Sequence, residues 1–233
     1  MYSISVALPA YNEEANIRAM VQKVVEIMSG LATDYEVVVV NDGSRDKTAQ
    51  VVQELSQQFP TVRLVNHEVN KGYGAAVYTG FTNARKDLIF LTDSDKQFNV
   101  AEVSLLLPQL DEADLVVGYR NPRRDPFQRV LFGKGWSLLA TVLFGYTARD
   151  IDCAFKLFRR EIIDNIKIDS RGATFSAEFL VRAKRKGYRI HEVPVTHLPR
   201  VAGTQTGAKF YVVFRAFREL IRFRIKLWQE PGP

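Results

Sequence analysis

The sequence predicts an α/β fold, a mostly parallel sheet flanked by helices. Three observations carry that expectation. Short apolar runs of strand length alternate with segments of helical spacing through the first half of the chain. Asp42, Lys71, Asp93 and Asp95 all fall just after strands, along the rim where such sheets bind ligands. The length, 233 residues with 46% hydrophobic and 25% charged, suits one large α/β domain or two small ones with an adequate core.

In chain order, "ISVAL" (4–8) reads as the first strand. Residues 12 to about 28 follow with helical spacing through Ile17, Met20, Val21, Val24 and Ile27. "YEVVVV" (35–40) is a buried-strand run, and "DKTAQVVQELSQQF" (46–59) is helical. "VRLV" (62–65) is a third strand, a glycine-punctuated helix opens in 70–84, and "LIFLT" (88–92) is a fourth strand. A helix near 100–110 leads into "DLVVGY" (114–119). The second half is less regular. "FQRVLFGKGWSLLATVLFGY" (127–146) is apolar but broken by Arg129 and Lys134, which suits a buried or interfacial helix better than a membrane span. "CAFKLF" (153–158) reads as a strand, "FSAEFLVRAKRKG" (175–187) as a helix ending at Gly187, and "YRIHEVPV" (188–195) as a strand. The end, 210–229, is an amphipathic helix. Phe210, Phe214, Phe217, Ile221, Ile225 and Trp228 follow one stripe; Arg215, Arg218, Arg222 and Lys226 follow another.

Composition narrows the classes. The single cysteine, Cys153, excludes an intrachain disulfide framework, and His67, His191 and His197 lack zinc-type spacing. The N-terminus enters a strand pattern at once, without a signal-peptide profile, so cytoplasmic residence is the expectation. The net charge of +6 is unevenly shared: residues 1–117 carry 9 Lys/Arg against 16 Asp/Glu, residues 118–233 carry 23 against 10. A basic second half points to phosphates or an anionic membrane. No nucleic-acid-binding motif is present, and none is expected as a partner.

The fourth strand ends in "TDSDKQF", with Asp93, Asp95 and Gln97 at alternate positions. Along an extended chain these leave on one side. Two close carboxylates resist ionising together, and a hard divalent cation removes that penalty. A solvated loop after a strand is the plainer reading of any lone DxD. "LPAYNEEANI" (8–17) sets Pro9, Tyr11 and Glu13 between the first strand and its helix, where they would hold a base or ribose. Taken alone, a helix start capped by Asn12 explains them better. "NDGS" (41–44) is turn chemistry, which does not demand Asp42 at the strand tip, where a ribose hydroxyl would bind. "NKGYGAA" (70–76) follows the third strand rather than the first, so it is no dinucleotide fingerprint; Lys71 and the backbone at Gly72 are candidates to face a diphosphate, or else simply ease a helix entry. A P-loop is absent.

Together and in this order, PAYNE, NDGS, NKGYG and the strand ending in DSDKQF resemble the family 2 glycosyltransferases. Within them the chain looks like the dolichyl-phosphate mannosyltransferase and polyprenyl-phosphate glycosyltransferase branch. The resemblance continues through "VVGYRN" (116–121), "DCAFKLFRR" (152–160), "FSAEFLVRA" (175–183) and "EVPVTHLPRVAGTQTG" (192–207). It implies a GT-A fold: a catalytic domain over 1–207, with a nucleotide-sugar half (1–120) and an acceptor half (121–207), then the basic helix of 208–233. It implies inverting transfer from a nucleotide-diphosphate sugar, GDP-mannose slightly ahead of UDP-sugars, to a lipid phosphate, with Mg²⁺ or Mn²⁺ as cofactor. By resemblance, Pro9, Tyr11, Glu13 and Asp42 match the nucleoside positions, and Lys71, Gly72 and Ser94 join the donor site. Asp93, Asp95 and Gln97 match the metal-binding set, and Arg120 and Arg200 the arginines around the diphosphate and acceptor phosphate. A lipid phosphate would attack unaided; a sugar hydroxyl would need a base, for which Asp152 and Glu178 are candidates, although either also suits a structural ion pair.

Two departures concern the acceptor. Relatives in this branch often carry Ser-Lys five and six residues after the arginine matched by Arg200, where this chain has Gln205 and Thr206, with Lys209 beyond. Many also continue into transmembrane helices, whereas this chain stops at Pro233. The C-terminal helix would then lie on an anionic membrane, making the protein peripheral, or pack on the core or a second subunit. Two alternatives stand beside lipid-phosphate transfer: transfer to a hydroxyl of a glycan or small molecule, and a catalytically silent sugar-nucleotide-binding subunit of a membrane complex.

Overall fold

The computed structural model describes residues 2–125, 127–199 and 210–230. Arg200, Gln205, Thr206 and Lys209 lie outside the described residues. The elements run β1 (Ser3–Ala10), α1 (Glu14–Leu31), β2 (Asp34–Asp42), α2 (Thr48–Gln58), β3 (Val62–His67), α3 (Tyr73–Thr82) and β4 (Leu88–Thr92). The second half adds α4 (Val103–Leu106), β5 (Leu115–Arg120), α5 (Phe127–Phe144), β6 (Phe155–Arg159), α6 (Glu161–Asn165), α7 (Phe175–Arg185), β7 (Ile190–Val195) and α8 (Phe210–Gln229).

Seven strands form one sheet in the order β3-β2-β1-β4-β6-β5-β7. All neighbours are parallel except β6, which runs antiparallel between β4 and β5. The expected mostly parallel sheet is therefore present, with one reversed strand at its middle that local patterning did not reveal.

Burial on both faces explains the apolar strands. In β2, Val37 and Val39 join the core beneath α1 and α2, while Val38 and Val40 meet Ala76 of α3 on the other face. All four valines are fully buried, each stabilising the fold by about 1.5–3 kcal/mol relative to exposure. On the α3 face, Phe81, Phe158, Phe175 and Phe179 pack edge-on and tilted, fixing α7 against the sheet.

Three local expectations change. The helix expected near 100–110 is a 3₁₀ turn, the single turn α4 and a second 3₁₀ segment over Leu107–Asp111, because Pro108 lacks the amide hydrogen a continuous helix needs. Asn12 does not cap α1: its side-chain Oδ1 accepts from the Arg45 backbone amide, and its backbone N–H donates to Ser44 Oγ. In α8, the described side chains that pack on the domain are Ala216, Leu220, Phe223 and Leu227, whereas Phe217, Ile221, Ile225 and Trp228 of the expected stripe are exposed.

Candidate functional site

The site lies beyond the carboxyl ends of β1, β2 and β4. β4 stops at Thr92, and the chain turns at once: Lys96 has φ 60, and Asp95 Oδ1 accepts the Gln97 amide at 3.1 Å. Gln97 is thus displayed by a turn rather than by strand alternation, and its Nε2 donates to Leu198 O at 3.3 Å. Ser94 ties the loop down, its hydroxyl donating to Pro9 O at 2.8 Å. Asp93 is raised to about 7, by desolvation first and the charge of Asp95 second. Tyr73 is 42% exposed, but its hydroxyl end hydrogen-bonds to Asp93, where desolvation first and that charge second raise the phenol well above its usual value.

This donor set fits a divalent cation. A carboxyl whose ionisation is opposed by a second carboxylate is what a hard cation relieves. Among the described residues, no three His, Cys, Asp or Glu side chains close a full metal cage.

Beside the acids, β2 and β3 end in register at Asp42 and His67. His67 Nδ1 lies 2.6 Å from Asp42 Oδ1, and its Nε2 lies 2.9 Å from Thr79 Oγ1. Asp42 also accepts the amides of Lys71 and Gly72, each at 2.9 Å. Asp42 therefore shapes the 70–72 loop, and those two amides are directed at it. Gly72 there has φ +96, and Gly43 (φ +65) sits so close that a Cβ would meet Asn70 N at 2.5 Å; both positions require glycine. Glu13 is buried at the start of α1 and accepts from Asn16 Nδ2 at 2.7 Å. Tyr11 is half-buried on the same corner.

On the far wall, Arg120 at the end of β5 grips Asp150 through Nε (2.6 Å) and Nη2 (2.7 Å) and reaches Asp125 at 3.3 Å. Arg123 joins the cluster through Asp125 at 2.7 Å. Asp152 is open to solvent, but the cleft around it desolvates its carboxyl, which with the charge of Asp150 raises it to about 6. Lys156 is 1% exposed beneath this loop and donates to the carbonyls of Ile151 and Cys153. Cys153 is a small buried thiol pushed up to about 12, chiefly by burial. His197 bridges the two walls: Nδ1 accepts the Arg124 amide at 3.1 Å, and Nε2 lies 3.4 Å from Gln97 Nε2. Glu178 stands apart, buried and filled by the amides of Asp169 and Ser170 and by Arg182 Nε at 2.7 Å, which is a structural arrangement.

Tyr73, His67, Asp150, Arg123 and Lys156 were not singled out from the sequence. Lys156 had a signal: a lysine inside the apolar run "AFKLF" is anomalous, since lysine is almost never fully buried without a partner.

Residues 5–167 match the family model described as Glycosyl transferase family 2. The chain is 30% identical over 211 residues to a dolichyl-phosphate beta-glucosyltransferase of Trichomonas vaginalis, covering 82% of this chain and 64% of that one. It is 28% identical over 235 residues to the dolichol-phosphate mannosyltransferase of Pyrococcus furiosus, covering 97% and 64%. The chain thus spans less than two thirds of these relatives' length. In fold it resembles glucosyl-3-phosphoglycerate synthase from Mycobacterium tuberculosis, crystallised with Mn²⁺ and UDP-glucose, with a TM-score of 0.74 at 21% identity over 96% of this chain and 79% of that one.

Proposed function

Because this chain belongs to glycosyl transferase family 2 and has its GT-A architecture, we propose that it transfers a hexose from a nucleotide-diphosphate sugar to a polyprenyl phosphate, with inversion. The observation that carries this is the Asp93–Asp95 pair at the tip of β4, with Asp93 raised to about 7. Asp93 and Asp95, with Gln97 beside them, would hold Mg²⁺ or Mn²⁺. When bound, the cation supplies charge neutralisation for the departing nucleoside diphosphate. Pro9, Tyr11, Glu13 and Asp42 form the nucleoside corner, whose shape Asp42 sets through the 70–72 loop. Arg120, with Arg200, supplies positive charge for donor and acceptor phosphates, and bidentate pairing with Asp150 keeps its guanidinium oriented. The acceptor phosphate is already anionic and attacks without a protein base. The two relatives' names support a lipid-phosphate acceptor and divide between glucosyl and mannosyl transfer.

The accessible Asp152 supports a second reading, in which it takes the proton of a sugar hydroxyl acceptor. Thermal unfolding with GDP or UDP, each with Mn²⁺ or EDTA, tests the donor site, since a ligand of the folded state raises the transition. One nucleotide is expected to raise it only with metal, and Asp95→Ala to lose that shift while melting normally alone. No metal-dependent shift with either nucleotide would remove the assignment. Transfer assays with a polyprenyl phosphate and with a sugar hydroxyl then separate the two acceptor readings.

A further inference from the structure

β3 supplies none of the residues expected at the donor site, yet its last two side chains hold the loops of that site. Asn66 Oδ1 accepts from Asn41 Nδ2 at 2.9 Å, Asn41 Oδ1 accepts the Ser44 amide at 3.2 Å, and Ser44 Oγ accepts the Asn12 amide at 2.9 Å. The next residue, His67, holds Asp42. His67 and the Lys71 amide both reach Asp42 Oδ1, and the Gly72 amide reaches Oδ2. Asp42 thus directs three of a carboxylate's roughly four acceptor positions to the protein, and it is only 3% exposed. Two of those donors belong to the loop that Asp42 itself shapes. Among the described residues, His67 is the one donor to it that comes from the sheet.

The imidazole is fixed at both nitrogens. A carboxylate only accepts, so Nδ1–H donates to Asp42, and Nε2 meets the Thr79 hydroxyl of α3. A His–Asp pair can also activate a nucleophile, but that use requires the second ring nitrogen to be open to substrate. Here that nitrogen faces Thr79, and the His67 side chain is 6% exposed. The pair therefore holds a position and does not relay a proton. Close packing carries that position outward. A Cβ at Gly43 would meet both Asn70 N and Val69 C at 2.5 Å, so the backbones of the 41–44 and 69–72 loops lie in contact. In such packing, a carboxylate that shifts displaces both loops together.

We propose that His67 is a positioning residue for the donor nucleotide: it orients Asp42, and through it the 41–44 and 69–72 loops, without touching the ligand. This rests on the reading of that corner as the nucleoside site. The test is isothermal calorimetry of the full chain with GDP and with UDP in Mn²⁺, at a temperature where circular dichroism shows each variant folded. His67→Leu removes the donor to Asp42; His67→Asn returns one, its Nδ2–H standing where Nδ1–H stood. The leucine variant is expected to raise the Kd of the bound nucleotide on the order of tenfold, the factor carried by one hydrogen bond to a charged group. The asparagine variant is expected to recover most of that loss. Thr79→Val releases Nε2 alone and should raise Kd about threefold, as for a neutral hydrogen bond; it decides the matter if His67→Leu does not fold. An unchanged Kd in folded His67→Leu or in Thr79→Val overturns the proposal, even if the melting temperature falls, because that is the mark of a merely structural residue. So does His67→Asn binding as weakly as His67→Leu, which would assign the effect to the volume of the ring. Wild type binding neither nucleotide removes the donor-site reading, and this proposal with it, before any variant is compared.

Discussion

At the scale of single residues, Asp93 links chemistry to stability. Its carboxyl is raised from 3.8 to about 7 on folding, by desolvation and then by Asp95. Between those values the folded chain binds more protons than the unfolded one, so stability falls as pH rises through that window and stays lower above it. A divalent cation held at the proposed site would bind the ionised pair and offset the loss. In urea titrations with EDTA, wild type is therefore expected to lose stability from pH 4 to pH 7, and Asp93→Asn to lose less and exceed wild type above pH 7. Mn²⁺ should restore wild type alone. An identical pH dependence in the two proteins would contradict the electrostatic account. The acids were legible because an apolar run that ends in two carboxylates is conspicuous in one dimension. The groups that support them were not. His67 reaches Asp42 through a strand register 25 residues apart, and Tyr73 meets Asp93 only once α3 is seated against the sheet.

Elements show where pattern reading stops. α8 carries two apolar stripes, one through Ala216, Leu220, Phe223 and Leu227 and one through Phe217, Ile221, Ile225 and Trp228. Periodicity registers both and cannot rank them. The domain selects the first, seating Phe223 and Leu227 against Val181 of α7. Leu220 is fully buried and Ile221 is 54% exposed. Leu220→Ala should then cost about 2–5 kcal/mol, and Ile221→Ala within about 0.5 kcal/mol, both read from denaturant midpoints. Equal costs would reverse the assignment of faces. The strands were easier to place, because β1, β2 and β4 are buried on both faces and their composition says so. The direction of β6 was hidden, since "CAFKLF" reads alike in a parallel or antiparallel ladder.

For the whole molecule, the sheet interior and the outer helices are expected to open at different free energies. In hydrogen exchange, amides of β1, β2 and β4 should exchange only with global unfolding, and those of α5, with one face in solvent, at lower cost. Uniform protection would show that α5 is covered in solution. The same topology sets the order in which the molecule is completed during synthesis. β5 finds no partner among the strands that precede it; it pairs with β6 and β7, both downstream. The 34 residues from 121 to 154 separate it from β6. At roughly 5–20 residues per second they take about 2–7 s to emerge. For that interval β3, β2, β1 and β4 have emerged with their mutual partners, while the outer edge of β4 and the whole of β5 still lack theirs. The reversed strand β6 is therefore also the piece that covers the β4 edge and gives β5 its first partner.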